Sequence, residues 1–355
     1  MKSTGEILVI GGGVISLAIA LELKRQGASV TIVTRDFTEA ATHAAAGMLA
    51  PQAEQILPSP MLDLCLRSRD LYPDWTQKLE ELTGLNLGYW ACGILAPAYQ
   101  KDAINIQSSE SVWLDRATIH QRQPGLGSDV IGGWWFPQDA QVDNRSLAKA
   151  LWVAVQELGV EIKTGVTVEK IVQSGDRVSH LQTSVGNWQA DHYILATGAW
   201  SQTLLPIPVT PKKGQMLSVQ MPDSMSLKTV LYGSDSYLVP RQDGRIIIGA
   251  TSEDVGFTPG NTPFGVQNLL SAAIRLCPTL QQYPIRECWW GFRPATPDEL
   301  PILGTSPYRN LTLATGHYRN GILLAPITGL LIAEFVLHQK SDALLEHFHW
   351  SRFKV

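Results

Sequence analysis

Cysteine is scarce in this chain: Cys65, Cys92, Cys277 and Cys288 stand far apart among 355 residues, with no CxxC pair. That spacing argues against a metal centre and against a disulfide framework, and it suits a reducing cytoplasm. Long basic runs are missing too. With 28 Lys and Arg against 32 Asp and Glu the net charge is -4, which gives no electrostatic reason to expect DNA, RNA or an anionic membrane as partner. At the N-terminus a single Lys precedes the first apolar run, without the basic region, apolar block and cleavage site of a signal peptide. The most span-like segment, GILLAPITGLLIAEFVL at residues 321 to 337, has only 17 residues and contains Pro326, Gly329 and Glu334, so it reads as a buried helix.

What is present is a composition that is 45% hydrophobic and 17% charged, able to bury a substantial core in one large or two interleaved domains. Small-molecule work is the expectation. The chain opens with an apolar strand over residues 6 to 10, three glycines, and a helix over 14 to 26 with Val14, Leu17, Ala18, Leu21 and Leu23 as apolar positions. A β-branched strand follows from Ala28 to Thr34, which completes a βαβ unit of the length a dinucleotide fold requires. In this reading Gly11 makes the tight turn, Gly13 lets the backbone approach a pyrophosphate, and the amides of Val14 and Ile15 at the helix N-terminus face the negative charge. Two positions depart from the pattern. Ser16 stands where a third glycine allows close helix–strand packing, which predicts slightly wider packing or a local contact. At the end of the second strand, where an acid accepts the ribose hydroxyls, the chain offers Thr34, Arg35 and Asp36, and the choice among them stays open.

Further along, THAAAGMLAPQAE at residues 42 to 54 is a run of small residues able to lie flat against a planar ligand. Asp143 precedes a helix with Leu147, Leu151, Ala154, Val155 and Leu158 on one face, followed by strand material in VEIKTG and VTVEKIV. HYILATGAWS, residues 192 to 201, is a buried strand ending in a second glycine turn, and Asp243-Gly244 marks a hairpin inside SYLVPRQDGRIIIGAT.

Taken with GFRPATPDELPILG (291 to 304) and TGHYRNGILLAPITG (315 to 329), these motifs resemble the D-amino-acid-oxidase-like flavoproteins, in order from about residue 5 to 338, and most of all their glycine-oxidising members that serve thiamine biosynthesis. The resemblance implies an α/β fold in which a Rossmann-like FAD domain (1–85, 143–209 and 294–355) is interleaved with an α+β substrate domain on an antiparallel sheet (86–142 and 210–293), re-entered near Lys213-Gly214-Gln215. It implies FAD, and oxidation of glycine, sarcosine or a small D-amino acid to the imine and glyoxylate with release of hydrogen peroxide. None of the four cysteines lies in a flavin-facing motif, so the FAD is expected to be noncovalent, His43 and His317 being the exceptions to allow. The alternatives are a dehydrogenase passing electrons to another acceptor and a non-catalytic FAD-binding protein. Partners would be the amine substrate and oxygen, and a homo-oligomer is compatible with this reading.

The same resemblance places Thr34, Arg35, Thr42, His43, Ala46, Gly47, Met48, Val168, Thr197, Gly198 and the stretch His317, Tyr318, Arg319, Asn320, Gly321, Ile322 and Leu323 at the cofactor, with a helix beginning at this last loop. Arg293 matches the family's substrate clamp, and a planar guanidinium suits a carboxylate because its fork meets both oxygens. Charge chemistry alone leaves open a structural pair between Arg293 and an acid such as Asp298. Tyr237 matches a hydroxyl that helps hold the carboxylate, Arg319 completes the catalytic set, and Met48 and Ser252 match positions lining the substrate cavity. Trp134, Trp135, Trp289 and Trp290 read as core and interface fillers, with Trp289 and Trp290 pointing opposite ways by strand alternation.

Overall fold

The computed structural model describes residues 5–100, 110–222 and 227–353. The predicted βαβ unit forms as strand Ile7–Ile10, helix Val14–Arg25 and strand Val30–Thr34. These strands sit inside a six-stranded sheet ordered Ile302–Thr305, Leu311–Thr315, His192–Leu195, Ile7–Ile10, Val30–Thr34 and Glu161–Thr164. All neighbours pair in parallel except the first two strands. Parallel sheets need cover on both faces, and side-chain alternation supplies it. Ile7 and Val9 join a core with the helices Val14–Arg25, Pro60–Thr83, Asn144–Glu157 and Ala325–His338. Leu8 and Ile10 face the other way, into a cluster with Ile171, Val178 and Leu181 of a three-stranded antiparallel sheet.

A second sheet of eight strands runs in the order Ile285–Ala295, Thr210–Gln220, Arg245–Gly249, Tyr237–Pro240, Val230–Tyr232, Ile94–Ala98, Gly132–Phe136 and Val112–Asp115. It is antiparallel except where Val230–Tyr232 meets Ile94–Ala98. The hairpin signalled by Asp243-Gly244 closes with Val239 opposite Ile247. The fold is thus the mixed α/β arrangement that the resemblance implies.

Three details differ from the sequence reading. The helix expected to begin at the 316–321 loop starts at Ala325, because Gly316 and Tyr318 hold positive φ angles of 73° and 46° and Pro326 belongs in a first turn. Residues 318 to 324 turn instead of coiling. The sequence reading also leaves out two short elements that follow this helix, Ala343–His347 and Trp350–Phe353. Trp289 and Trp290 point opposite ways as alternation requires, but Trp290, 41% exposed, is not a core filler, while Trp289 is partly buried with its indole donating to the Ala44 carbonyl at 3.2 Å. Trp134 packs edge-on against Trp113, and Trp135 lies under the Arg122 guanidinium.

Candidate active site

One cavity of about 430 Å³ runs from the glycine turn, past the small-residue run, to the end of the eight-stranded sheet. Its first wall is the glycine turn, and the three glycines are bare for different reasons. Gly11 has a φ of 124°, and a Cβ there would lie 2.4 Å from the Ala196 carbonyl oxygen; one on Gly12 would lie 2.4 Å from Thr34 Oγ1. Those two serve the turn itself. Gly13 is extended with φ -80°, and a Cβ would meet only Thr42 Oγ1 at 3.6 Å and Ala40 at 3.8 Å while entering the cavity that this residue lines. Both are ordinary van der Waals distances, so nothing in the protein itself requires glycine at this position. Behind it the helix N-terminus has no acid in its first turn, and one amide, Val14 N, is taken by Thr42 Oγ1 at 2.9 Å. The remaining first-turn amides and the positive end of the dipole suit a pyrophosphate. Ser16, in place of the third glycine, makes the local contact: its hydroxyl donates to the Ala196 carbonyl at 3.2 Å.

Thr34, Arg35 and Asp36 all reach this cavity, with Glu39 beside them. Asp36 is occupied by the Thr38 amide and hydroxyl, both at 2.7 Å, and Arg35 pairs with Glu39 while lying over the Trp200 ring. Thr34 packs beneath Gly12.

The small-residue run is gripped from behind. The Thr42 carbonyl accepts from Asn144 Nδ2 at 2.7 Å, His43 from Arg145 Nε at 3.3 Å, Ala44 from Trp289 Nε1 at 3.2 Å, and Ala46 from Arg241 Nη2 at 2.8 Å. Gly47 adds its carbonyl to the Val142 amide at 2.9 Å. Buried Arg241 also binds Gln141 Oε1 at 2.6 Å and Asn144 Oδ1 at 3.1 Å. With most of its carbonyls engaged on that side, the run lines the cavity from Ala44 to Met48 with small side chains and one methionine.

At the far end Arg293 enters from the strand Ile285–Ala295. Gly214 on the neighbouring strand makes room, since a Cβ there would lie 2.5 Å from Arg293 Nη1. Arg293 Nη1 donates to the Thr251 carbonyl at 3.1 Å, and the guanidinium makes no ion pair among the described residues. The alternative pairing with Asp298 is excluded, because that carboxylate is held by Arg352, with Nε at 2.7 Å. Tyr237 donates its hydroxyl to Met216 Sδ at 3.5 Å, a weak acceptor that a substrate oxygen displaces readily, and lies beside the Arg293 guanidinium. Burial raises its pKa, against the opposing pull of Arg293.

Arg319 stands differently: its Nη2 lies 3.5 Å from Glu54 Oε1 and donates to the Tyr232 hydroxyl at 3.1 Å. Burial raises the Glu54 pKa, and the two guanidiniums, Arg319 first, oppose that rise. For Arg319 burial works against the charge, yet the Glu54 carboxylate overcomes it and raises the pKa.

The cavity therefore gathers Arg293, Tyr237, Arg319, Met48 and Ser252 with Gly11, Gly13, Val14, Ile15, Thr34, Arg35, Thr42, Ala46, Gly47, Val168, Thr197, Gly198, His317, Tyr318, Gly321 and Ile322. Three expected residues fall outside its lining. His43 packs edge-on against Phe37 at 4.5 Å and turns to a neighbouring cleft lined by Trp289 and Trp290. Asn320 is spent on the turn, its amide donating to the His317 carbonyl and its carbonyl accepting from Leu324. Leu323 is buried in the helical core. The sequence reading missed Glu54, Tyr232 and Arg241; Glu54 lay at the end of a segment chosen for its small residues, and nothing local marked the other two.

His317 lines the cavity as a neutral imidazole, its Nε2 3.2 Å from Thr328 Oγ1, with burial holding its pKa down to about 3. His192 is lowered to about 4, by burial first and Arg177 second. Both folded values lie below the unfolded value, so the unfolded chain takes up these protons first. The stability the neutral rings provide is complete above about pH 6.5 and is lost on acidification, at about 1.4 kcal/mol per pH unit for each ring. We expect His317→Asn to flatten the acid limb of the melting temperature between pH 6.5 and 4.5; superimposable limbs would contradict it.

A phosphate cradle at a helix N-terminus, opening along a wall of small residues onto a free guanidinium, has the parts a flavin-dependent oxidoreductase needs. Residues 6–335 match the family described as DAO, FAD dependent oxidoreductase, and the chain belongs to it; its cofactor is FAD. Among particular relatives, the chain is 63% identical over 361 residues to the bifunctional protein ThiO/ThiG of Trichormus variabilis, covering 99% of this chain and 55% of that protein. It thus spans about half the length of that relative. It is 34% identical over 366 residues to the glycine oxidase of Geobacillus kaustophilus, covering 98% of this chain and 97% of that one. The crystal structure of a glycine oxidase from the same organism superimposes with a TM-score of 0.92 at 33% identity over 100% of both chains.

Proposed function

We propose that this chain oxidises glycine, giving the imine that water hydrolyses to glyoxylate and ammonia, and that it serves thiamine biosynthesis. The observation that carries the reading is the free guanidinium of Arg293 in a cavity continuous with the FAD cradle. The name of the Geobacillus kaustophilus relative, a glycine oxidase, supports glycine as the substrate. Sarcosine and small D-amino acids stand close behind, because a methyl-sized difference discriminates by only about 1 to 3 kcal/mol.

FAD, held at the Gly11–Gly13 turn and along the Ala44–Met48 run, would supply the two-electron acceptor for the Cα–H bond and, with oxygen, the route to hydrogen peroxide. The chain supplies placement. Arg293 takes the substrate carboxylate in a charge-assisted, two-point contact, and the Tyr237 hydroxyl turns from Met216 to add a further donor. Enclosure disfavours the ammonium form of the substrate, and the neutral amine is the form that releases hydride. No lining side chain need act as a strong base. The division into an FAD unit of three segments (1–85, 143–209, 294–355) and a substrate unit of two (86–142, 210–293) fits the two sheets, whose strands separate along those boundaries to within two residues.

The cofactor is held noncovalently in this reading. No cysteine lines the cavity, and the His317 imidazole is engaged with Thr328. Acid precipitation is expected to leave yellow FAD in the supernatant, and the native protein to form hydrogen peroxide from glycine in air. A coloured pellet would contradict the first, and glycine turnover that needs an added acceptor the second.

A further inference from the structure

The substrate end of the cavity holds two guanidiniums and one carboxylate facing them. Arg319 is matched by Glu54 at 3.5 Å and hydrogen-bonded to Tyr232, whereas Arg293 has the Thr251 carbonyl and, among the described residues, no ion pair, feeling Glu54 only at longer range. Asp235 also lines the cavity, but its Oδ2 takes the Ser234 hydroxyl on an exposed turn. Glu54 is only 14% exposed in its side chain, so its charge is little screened by water. The local sum is one uncompensated positive charge.

We propose that Glu54 sets the charge specificity of this cavity: by cancelling Arg319 it leaves a single free cation, Arg293, so that the enzyme takes amines bearing one carboxylate and rejects those bearing a second acidic group. The inference rests on reading the cavity as the amine-oxidising site, and it adds the class of substrate excluded. A second carboxylate directed toward Arg319 meets the Glu54 charge at close range, and like charges juxtaposed in a desolvated site are strongly unfavourable. Neutralising Glu54 turns Arg319 from a matched partner into a second anion clamp.

The probe is iminodiacetate, which is glycine carrying a second carboxymethyl group on its nitrogen. In the FAD-loaded Glu54→Gln protein the ratio of kcat/KM for iminodiacetate to that for glycine is expected to rise at least about tenfold over the unaltered chain. A parallel titration follows the flavin absorbance with glycolate and malonate, non-reacting mono- and dicarboxylates. Malonate binding is expected to tighten at least about tenfold relative to glycolate. Glu54→Asp, which keeps the charge, is expected to retain the original preference, and Glu54→Gln/Arg319→Gln to lose the gain; Glu54→Ala serves if the glutamine variant does not fold. Unchanged ratios in a flavin-loaded neutral variant, or the same gain in Glu54→Asp, would overturn the proposal. A protein inert toward glycine would instead overturn the functional reading, and the malonate titration would still report on Glu54.

Discussion

Arg293→Ala is expected to lower kcat/KM for glycine by roughly a hundred- to several-thousand-fold while leaving flavin content and melting temperature nearly unchanged. The magnitude follows from breaking a charge-assisted pair on one side in a dry pocket, roughly 3 to 5 kcal/mol. The surroundings make the test clean. The guanidinium has no ion-pair partner among the described residues, Asp298 belongs to Arg352, and Glu54, which feels both guanidiniums, keeps its pair with Arg319 when Arg293 is removed. One hydrogen bond, to the Thr251 carbonyl, is lost from the fold. Arg293→Lys is expected to recover only part of the activity, since an ammonium cannot make the planar two-point contact. A structural role for Arg293 would give the reverse pattern: a lower melting temperature with activity preserved per flavin-loaded molecule.

Gly13→Val is expected to abolish FAD retention in a protein that still folds. A valine suits the extended backbone at φ -80°, and its Cβ would meet nothing closer than Thr42 Oγ1 at 3.6 Å. What the side chain takes is cavity space in front of the helix N-terminus, where the pyrophosphate must approach. The neighbouring glycines do not offer this separation. At Gly11 a Cβ would lie 2.4 Å from a backbone oxygen, and at Gly12 2.4 Å from Thr34 Oγ1, so substitutions there damage the turn together with the cofactor. The measurements are flavin absorbance per polypeptide and the thermal midpoint of the apoprotein. A folded Gly13→Val protein with full flavin content would show that this turn does not cradle the phosphates.

The readable parts of the fold were those whose cause is local. Strand, glycine turn and helix at residues 7 to 25 follow from apolar periodicity and backbone freedom within one stretch, and the Asp243-Gly244 hairpin from its turn chemistry. The helix after Asp143 formed with that residue as its N-cap, accepting from the Arg145 and Ser146 amides. Arg293 and Tyr237 carry no such local signal; an arginine ending a strand and a tyrosine starting one are ordinary, and only the surrounding motifs singled them out. Arg241 and Glu54 were silent for another reason. Arg241 reaches the carbonyl of Ala46, 195 positions earlier in the chain, and Glu54 meets Arg319 near the other end of it. Long-range placement of that kind is decided by how the two sheets meet. His43 misled because it belongs to a segment lining the cavity while its own ring packs on Phe37.

Anaerobic titration of the oxidised, yellow protein with glycine tests the functional reading most directly, because it separates reduction from the identity of the final acceptor. One equivalent of glycine is expected to bleach the flavin, with glyoxylate and ammonia appearing in equal amount, and readmitted oxygen to restore the colour as hydrogen peroxide forms. A flavin that stays yellow under excess glycine, while sarcosine, D-alanine or D-proline bleaches it or nothing does, would contradict glycine as the substrate.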